Sequence, residues 1–267
     1  MSFSLPQGPQ RIVCLTEEPT EILYALGESS RIVGISAYTE RPPEARQNKP
    51  VVSAFIDGSV SKISALKPDL IIGFSDIQSK LAAKLIAANQ QVLIFNQRSI
   101  QEILDVVVDI GRLVGQGDKA NGLVENYIKG IESCQTRAAK RKTRPRVYFE
   151  EWPDPMISGI QWVSELIEIA GGQDIFSDRK MGKLAKERFV QPEEVIAADP
   201  EVFLASWCGK PFDRDHVLSR TGWDQISAIR TGKIHEINAC EILQPGPACL
   251  TDGLLAVERA IFEEGTS

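Results

Sequence analysis

The sequence predicts an α/β protein of two Rossmann-like lobes with parallel sheets, joined by one long α-helix, with a ligand cleft between the lobes. Three observations lead there: a long-range internal repeat, Val/Ile/Leu-rich runs alternating with helical patterns, and one unbroken amphipathic stretch near the middle of the 267 residues. Apolar strands that alternate with helices describe βαβ units, whose parallel sheets are buried under helices on both faces.

The first strand is read at residues 11–15, followed by a helix at 20–27 with Thr20 as N-cap candidate and Gly27 as C-cap. A short helix, a turn centred on Pro68 and a buried strand fill 61–72, and another strand fills 91–96. The same order recurs in the second half. A strand at 146–149 precedes a helix at 164–171, with Ser164 and Gly171 as its caps. A helix, a Pro200 turn and a strand fill 193–204, and a last strand lies at 233–238. The offsets run from 132 (61 to 193) to 144 (20 to 164), so the halves read as related lobes. Between them, residues 118–141 place Ala120, Leu123, Val124, Tyr127, Ile128, Ile131 and Cys134 three and four apart, as one face of a helix requires. Gly122 and Gly130 weaken that helix by about 1 kcal/mol each, and Pro145 ends it. The predicted organisation is a lobe over 1–117, a linking helix over 118–142 and a lobe over 143–267. A stiff link predicts only a small closure on binding.

Lys+Arg 30 against Asp+Glu 36 gives a net charge of −6. With no dense basic face, no nucleic-acid partner is expected, because phosphate neutralisation supplies most of that affinity. The basic run Lys140, Arg141, Lys142, Arg144 and Arg146 suits a solvated helix end, where cations meet the negative end of the dipole. No run approaches the roughly 18–20 apolar residues of a membrane span, so no membrane insertion is expected. The first ten residues lack a basic segment, an apolar segment and a small-residue cleavage site. This predicts a cytoplasmic chain, or a periplasmic one from which a leader was removed. Five scattered cysteines, Cys14, Cys134, Cys208, Cys240 and Cys249, fit free thiols better than a disulfide framework. A monomer is expected.

In open parallel sheets ligands bind beyond the carboxyl ends of the strands. The candidate surface is therefore residues 16–19, 36–43, 53–58 and 74–76 of the first lobe, with 150–162, 206–212 and 240–247 of the second. Three of the four tryptophans, Trp152, Trp162 and Trp207, fall in these loops. Aromatic side chains there suit a flat or partly apolar ligand better than the alternative, that they cap the lobes' cores. Catalytic signatures such as GxGxxG, GxxxxGK[ST], GxSxG, HExxH and CxxC are absent from the sequence. His235 reads as part of a strand and His216 as surface. Cys208, His216, His235, Cys240 and Cys249 offer no close-spaced ligand pair, so no protein metal site is expected. The pairs Glu17-Glu18 and Glu150-Glu151 at strand ends could do acid/base work, but they suit helix capping or contact with polar ligand groups better, and no catalytic residue is assigned.

Five segments carry a family likeness: residues 11–15, Val33-Gly34-Ile35-Ser36-Ala37-Tyr38, Pro42-Pro43-Glu44-Ala45, Ile63-Ser64-Ala65-Leu66-Lys67-Pro68-Asp69-Leu70-Ile71-Ile72, and Ala170-Gly171-Gly172-Gln173-Asp174-Ile175-Phe176. Together with the two-lobe order they make residues 10–262 resemble the helical-backbone (class III) substrate-binding proteins of ABC importers, most of all the cobalamin- and iron-complex-binding branch. The resemblance implies a binding protein and not an enzyme, with no intrinsic cofactor and a ligand that brings its own metal: cobalamin, or else haem or an iron–siderophore. It implies a permease partner that pairs with one carboxylate on each lobe. Glu193 matches one of these positions, and Ser61 stands at the other. The aromatic that stacks on the corrinoid corresponds to Phe55, and a second-lobe aromatic falls at Glu187 or Phe189. Tyr38, Phe55, Trp152, Trp162 and Trp207 would then supply stacking, and Glu17, Glu151 and Gln244 would meet amide or hydroxyl groups. Two rival readings are a corrinoid-handling enzyme or chaperone using Cys208 or a Glu pair, and a binder of a bare transition-metal ion.

Overall fold

The computed structural model describes residues 8–262, which divide into two compact units. The first holds the residues up to 97 together with 101–126, and the second holds 98–100 and the residues from 127 on.

The first unit alternates strand and helix from its start: β1 (Ile12–Cys14), α1 (Glu17–Ala25), β2 (Ile32–Ser36), α2 (Pro43–Asn48), β3 (Val51–Ser53), α3 (Val60–Ala65), β4 (Leu70–Phe74), α4 (Ser79–Ala87), β5 (Val92–Phe95) and α5 (Ile100–Leu113). Its sheet runs β3-β2-β1-β4-β5, and every pairing is parallel. The central strands β1 and β4 are apolar because both of their faces are covered, while the edge strands β3 and β5 are less buried. Val13, Leu15, Val52, Ile63, Ile71, Leu81 and Leu85 pack into one core.

The long helix α6 (Gly117–Ala139) follows, close to the predicted 118–141. Of the face read from its periodicity, Ala120, Ile131 and Cys134 are buried, while Ile128 stays 38% exposed.

The second unit contains β6 (Arg146–Pro153), β7 (Met156–Ser158), α7 (Gln161–Ile169), β8 (Gln173–Asp174), α8 (Pro192–Ala198), β9 (Val202–Ala205), α9 (Arg214–Leu218), α10 (Ser227–Arg230), β10 (Ile234–Glu236), α11 (Ala239–Ile242) and α12 (Leu254–Phe262). Its sheet runs β10-β9-β6-β7, with β8 beside the start of β6. Only β7 is antiparallel, folded back from β6 in a hairpin. That hairpin corrects the expectation of a loop over 150–162. Trp152 lies in a strand and Trp162 in a helix, because the apolar Met156 and Ile157 extend the sheet.

The repeat reaches down to hydrogen bonds. Asp69 accepts from the backbone N–H of Gln10 (2.7 Å) and of Arg11 (2.9 Å) at the entry to β1, while the Arg11 guanidinium donates to the Leu66 carbonyl. At the entry to β6, Glu201 accepts from the Arg146 N–H (3.0 Å), and the Arg146 guanidinium donates to the Asp199 carbonyl (2.9 Å). Helix starts differ from the expectation. α1 begins at Glu17 behind Thr16, and α7 at Gln161 behind Ile160, so Thr20 and Ser164 lie buried inside their helices and not at caps. Gly27 (φ +77°) and Gly171 (φ +92°) do close the two helices, in the left-handed region that favours glycine.

Candidate functional site

In the first unit the loops leaving β2 and β3 present an aromatic pair. Tyr38 is 50% exposed, and its ring meets that of Phe55 edge-on at 6.4 Å between centroids. Edge-to-face pairs hold their geometry with little strain, so the two rings form a preset apolar corner. Gln78 fixes the loop that carries Phe55: its side-chain amide donates to the Phe55 carbonyl (2.7 Å), while its oxygen accepts from the Phe74 N–H (3.0 Å). The Tyr38 loop is tied down by Ser36 Oγ, which accepts from the Tyr38 N–H (3.2 Å), and by Arg46, which donates to the Ala37 carbonyl (2.9 Å).

Glu17 does not reach this surface. It is 2% exposed, and its Oε1 accepts from the N–H groups of Glu40 and Arg41, both at 2.9 Å. The expected contact with ligand amides is therefore replaced by an internal one, because α1 starts directly after β1 and turns its first residue under the Tyr38 loop. Glu18 is buried beside it, and neither of its oxygens has a hydrogen-bond partner among the described residues. Burial pushes Glu17 up to about 7, with the Glu18 and Glu21 charges adding to it and the two backbone N–H groups opposing. Burial likewise raises Glu18 to about 7, against the nearby Thr16 hydroxyl.

In the second unit the predicted residues separate into surface and core. Trp152 is half-buried, with its indole N–H donating to the Asp154 carbonyl (2.8 Å). The Lys210 ammonium lies 5.9 Å from its ring and 5.3 Å from that of Trp207, within cation–π range. Trp207 itself is 3% exposed, packs among Tyr148, Phe203 and Trp223, and donates its N–H to Glu150 (3.1 Å). Trp162 is also buried, bonded to the Ile242 carbonyl (2.9 Å). These two tryptophans are core residues and offer no stacking face. Gln244 is half-buried just after α11. Glu151 is partly exposed and paired with Arg188, whose guanidinium reaches it at 2.6 and 3.2 Å. Of the two positions read for the second-lobe aromatic, Phe189 is the ring, 40% exposed and bridged through its backbone to Ile157 of β7. Arg188 lies in no periodic or motif-bearing segment of the sequence, whereas Lys210 falls inside the strand-end loop 206–212, where its residue type alone did not single it out.

Cys208 is exposed, and crowding of its sulfur followed by the Glu151 charge raises its thiol pKa. A nucleophilic or metal-binding cysteine needs the opposite shift. Among the described residues, no three His, Cys, Asp or Glu side chains converge so as to hold a metal ion. His216 is exposed on α9, and His235 lies in β10. No helix among the described residues is long and apolar enough to cross a membrane. Glu193 is exposed in the first turn of α8, and Ser61 in that of α3, where its hydroxyl lies 3.1 Å from that of Ser59.

The model of the periplasmic binding protein family matches residues 12–239. The ABC transporter substrate-binding lipoprotein YvrC of Bacillus subtilis (strain 168) is 24% identical over 273 residues, covering 98% of this chain and 82% of that protein. The vitamin B12-binding protein of Vibrio cholerae is 25% identical over 254 residues, covering 92% and 87%. Among solved structures, the apo periplasmic heme-binding protein RhuT of Roseiflexus sp. RS-1 superposes with a TM-score of 0.79 at 24% identity, covering 95% of this chain and all of that one.

Proposed function

The chain belongs to the periplasmic binding protein family, and on that premise we propose that it binds a corrinoid or a similarly bulky metal chelate without converting it. The observation that carries this reading is the pair on strand-end loops formed by the exposed Tyr38 and the half-buried Phe55. A solvent-open ring held edge-on against a half-buried one offers flat apolar area to a macrocycle at little cost in side-chain entropy. Within the second unit, Trp152 with the Lys210 ammonium beside it, the exposed Phe189 and the half-buried Gln244 are aromatic and polar groups of the kind such a ligand would use. Glu151 is shared with Arg188, so it meets the ligand as half of an ion pair. The metal arrives inside the ligand, which fits the vitamin B12-binding relatives. Haem or an iron–siderophore is the alternative cargo, favoured by the heme-binding structural neighbour.

The family setting supports delivery to an ABC permease, with Glu193 free on α8 to meet a basic partner. Ser61 supplies no charge at the matching position of the first unit, so docking is one-sided in charge. Compartment follows the partner: periplasmic if the permease is engaged, cytoplasmic if the ligand is handed on elsewhere.

The test is a titration with cyanocobalamin followed by Trp fluorescence and corrinoid absorbance, with haemin and a ferric siderophore alongside. Saturable one-to-one binding to the corrinoid at micromolar affinity or tighter, worth at least about 8 kcal/mol, is expected. Binding of haemin or the siderophore alone would transfer the reading to that ligand, and no binding to any of the three would end it.

A further inference from the structure

The two buried carboxylates at the start of α1 are unlike the other strand-end acids. Glu150 and Glu151 each meet an arginine, whereas Glu17 and Glu18 meet none among the described residues. Glu17 uses one oxygen for the Glu40 and Arg41 N–H groups, and its other oxygen has no partner among the described residues. The neutral Thr16 hydroxyl lies beside Glu18, and Thr20, one turn into α1, is buried next to Cys14. The charged and titratable groups facing the pair are few. Glu21 lies on α1, Cys14 on β1, Lys49 at the end of α2, and Glu40 and Arg41 on the loop. The Arg41 guanidinium is turned to Glu21 (3.2 Å), and the Lys49 ammonium to the Ser29 carbonyl (2.8 Å). No cation is thus aimed at either carboxylate from these elements. A buried carboxylate without a paired cation is held neutral, because a bare charge in the interior costs far more than a proton.

We propose that Glu17 is a positioning residue for the 37–41 loop, and that with Glu18 it forms a proton-operated latch: the loop is held for ligand while the pair is protonated and released when it ionises. The proposal rests on the reading that Tyr38, on that loop, meets the ligand. The coupling is short. Glu17 grips the backbone two and three residues beyond Tyr38, so water entering to solvate an ionised pair competes at the Glu40 and Arg41 N–H groups. The sign follows from linkage. With the loop closed both carboxyls titrate at about 7, and with it open they approach the ordinary value of about 4.3. Protons therefore favour closure. The contribution is complete below about 4.3, shrinks as pH rises and is lost above about 7, which amounts to about tenfold per carboxyl between pH 6 and 8.

The experiment is amide hydrogen exchange at Glu40 and Arg41 in the ligand-free full chain, corrected for intrinsic rates, from pH 5.5 to 8.5. Protection is expected to fall about tenfold or more between pH 6 and 8, and the fall is expected to vanish in E17Q/E18Q, which keeps an acceptor oxygen but cannot ionise. A flat wild-type profile, or the same fall in the double variant, would overturn the latch. Should that variant fail to fold, carbon-13 titration of the wild-type carboxyls decides: midpoints near 7 support it, and midpoints near the ordinary value of about 4.3 overturn it. Cyanocobalamin affinity is expected to follow the closed fraction that the exchange protection reports, weakening about tenfold where the open loop is the majority over this interval. A constant affinity across a pH range in which protection shows the open loop to be the majority would break the link to ligand. Failure to bind cyanocobalamin at both pH values would overturn the corrinoid reading and leave the exchange result to decide the latch.

Discussion

Glu150 is fully buried and accepts four hydrogen bonds, from the Tyr148 hydroxyl (3.1 Å), the Trp207 indole (3.1 Å) and two nitrogens of Arg220 (2.7 and 2.9 Å). The Arg220 guanidinium also lies over the Trp223 ring, 4.4 Å from its centroid. A carboxylate so fully satisfied has no valence left for acid/base work, and it ties a strand end to the aromatic core of its unit. Arg220→Met would leave that charge buried without its cation, a loss of about 3–5 kcal/mol. Urea denaturation checks this, and a loss under about 1 kcal/mol would mean that the two neutral donors suffice. The Glu150-Glu151 pair was visible in the sequence, but its meaning was not, since Arg220 and Arg188 arrive from 70 and 37 residues away. The same holds for Trp162 and Trp207. Their residue type suggested a ligand face, and only the packing around them showed a core.

Asp199 shows how one element end joins three. It closes α8 in the left-handed conformation (φ 43°), and its carboxylate accepts from the N–H (2.7 Å) and hydroxyl (3.0 Å) of Ser227, the first residue of α10, beside the Arg146 guanidinium of β6. The Ser227 hydrogen bonds hold its pKa below the ordinary carboxylate value. A depressed acid stabilises above its unfolded pKa of about 3.9 and loses that contribution as pH falls through and below it. Asp199→Ala is expected to cost about 1–3 kcal/mol at neutral pH, read as a drop in Tm that narrows in acid. An equal drop at pH 3 and pH 7 would contradict it. At this scale the sequence was legible where a turn residue forces the chain. Pro68 and Pro200 marked their turns, and Gly27 and Gly171 their helix ends. It misled at helix starts, because Thr16 and Ile160 take the first position without a side-chain hydrogen bond, so composition gave no mark of the boundary.

Each unit has a core of its own: Ile71 belongs to one cluster and Ile234 to the other, with no residue in common. Ile71→Val and Ile234→Val are each expected to cost about 0.5–1.5 kcal/mol, and the double variant to equal their sum within about 0.5 kcal/mol. Coupling beyond 1 kcal/mol, on an order-of-magnitude reading of denaturation midpoints, would show that the cores are not independent. By itself the sequence determined the α/β class, the repeated strand order, the long helix and the family likeness, because these rest on apolar periodicity and on turn residues, which act over a few neighbours. The tertiary structure alone decided which strand-end residues face solvent. Tyr38, Phe55, Trp152 and Phe189 keep an open face, Trp162 and Trp207 are core, and Glu17 and Glu18 are sealed inside. Exposure and ionic pairing depend on groups brought together from distant parts of the chain, and no local pattern records which of them will meet.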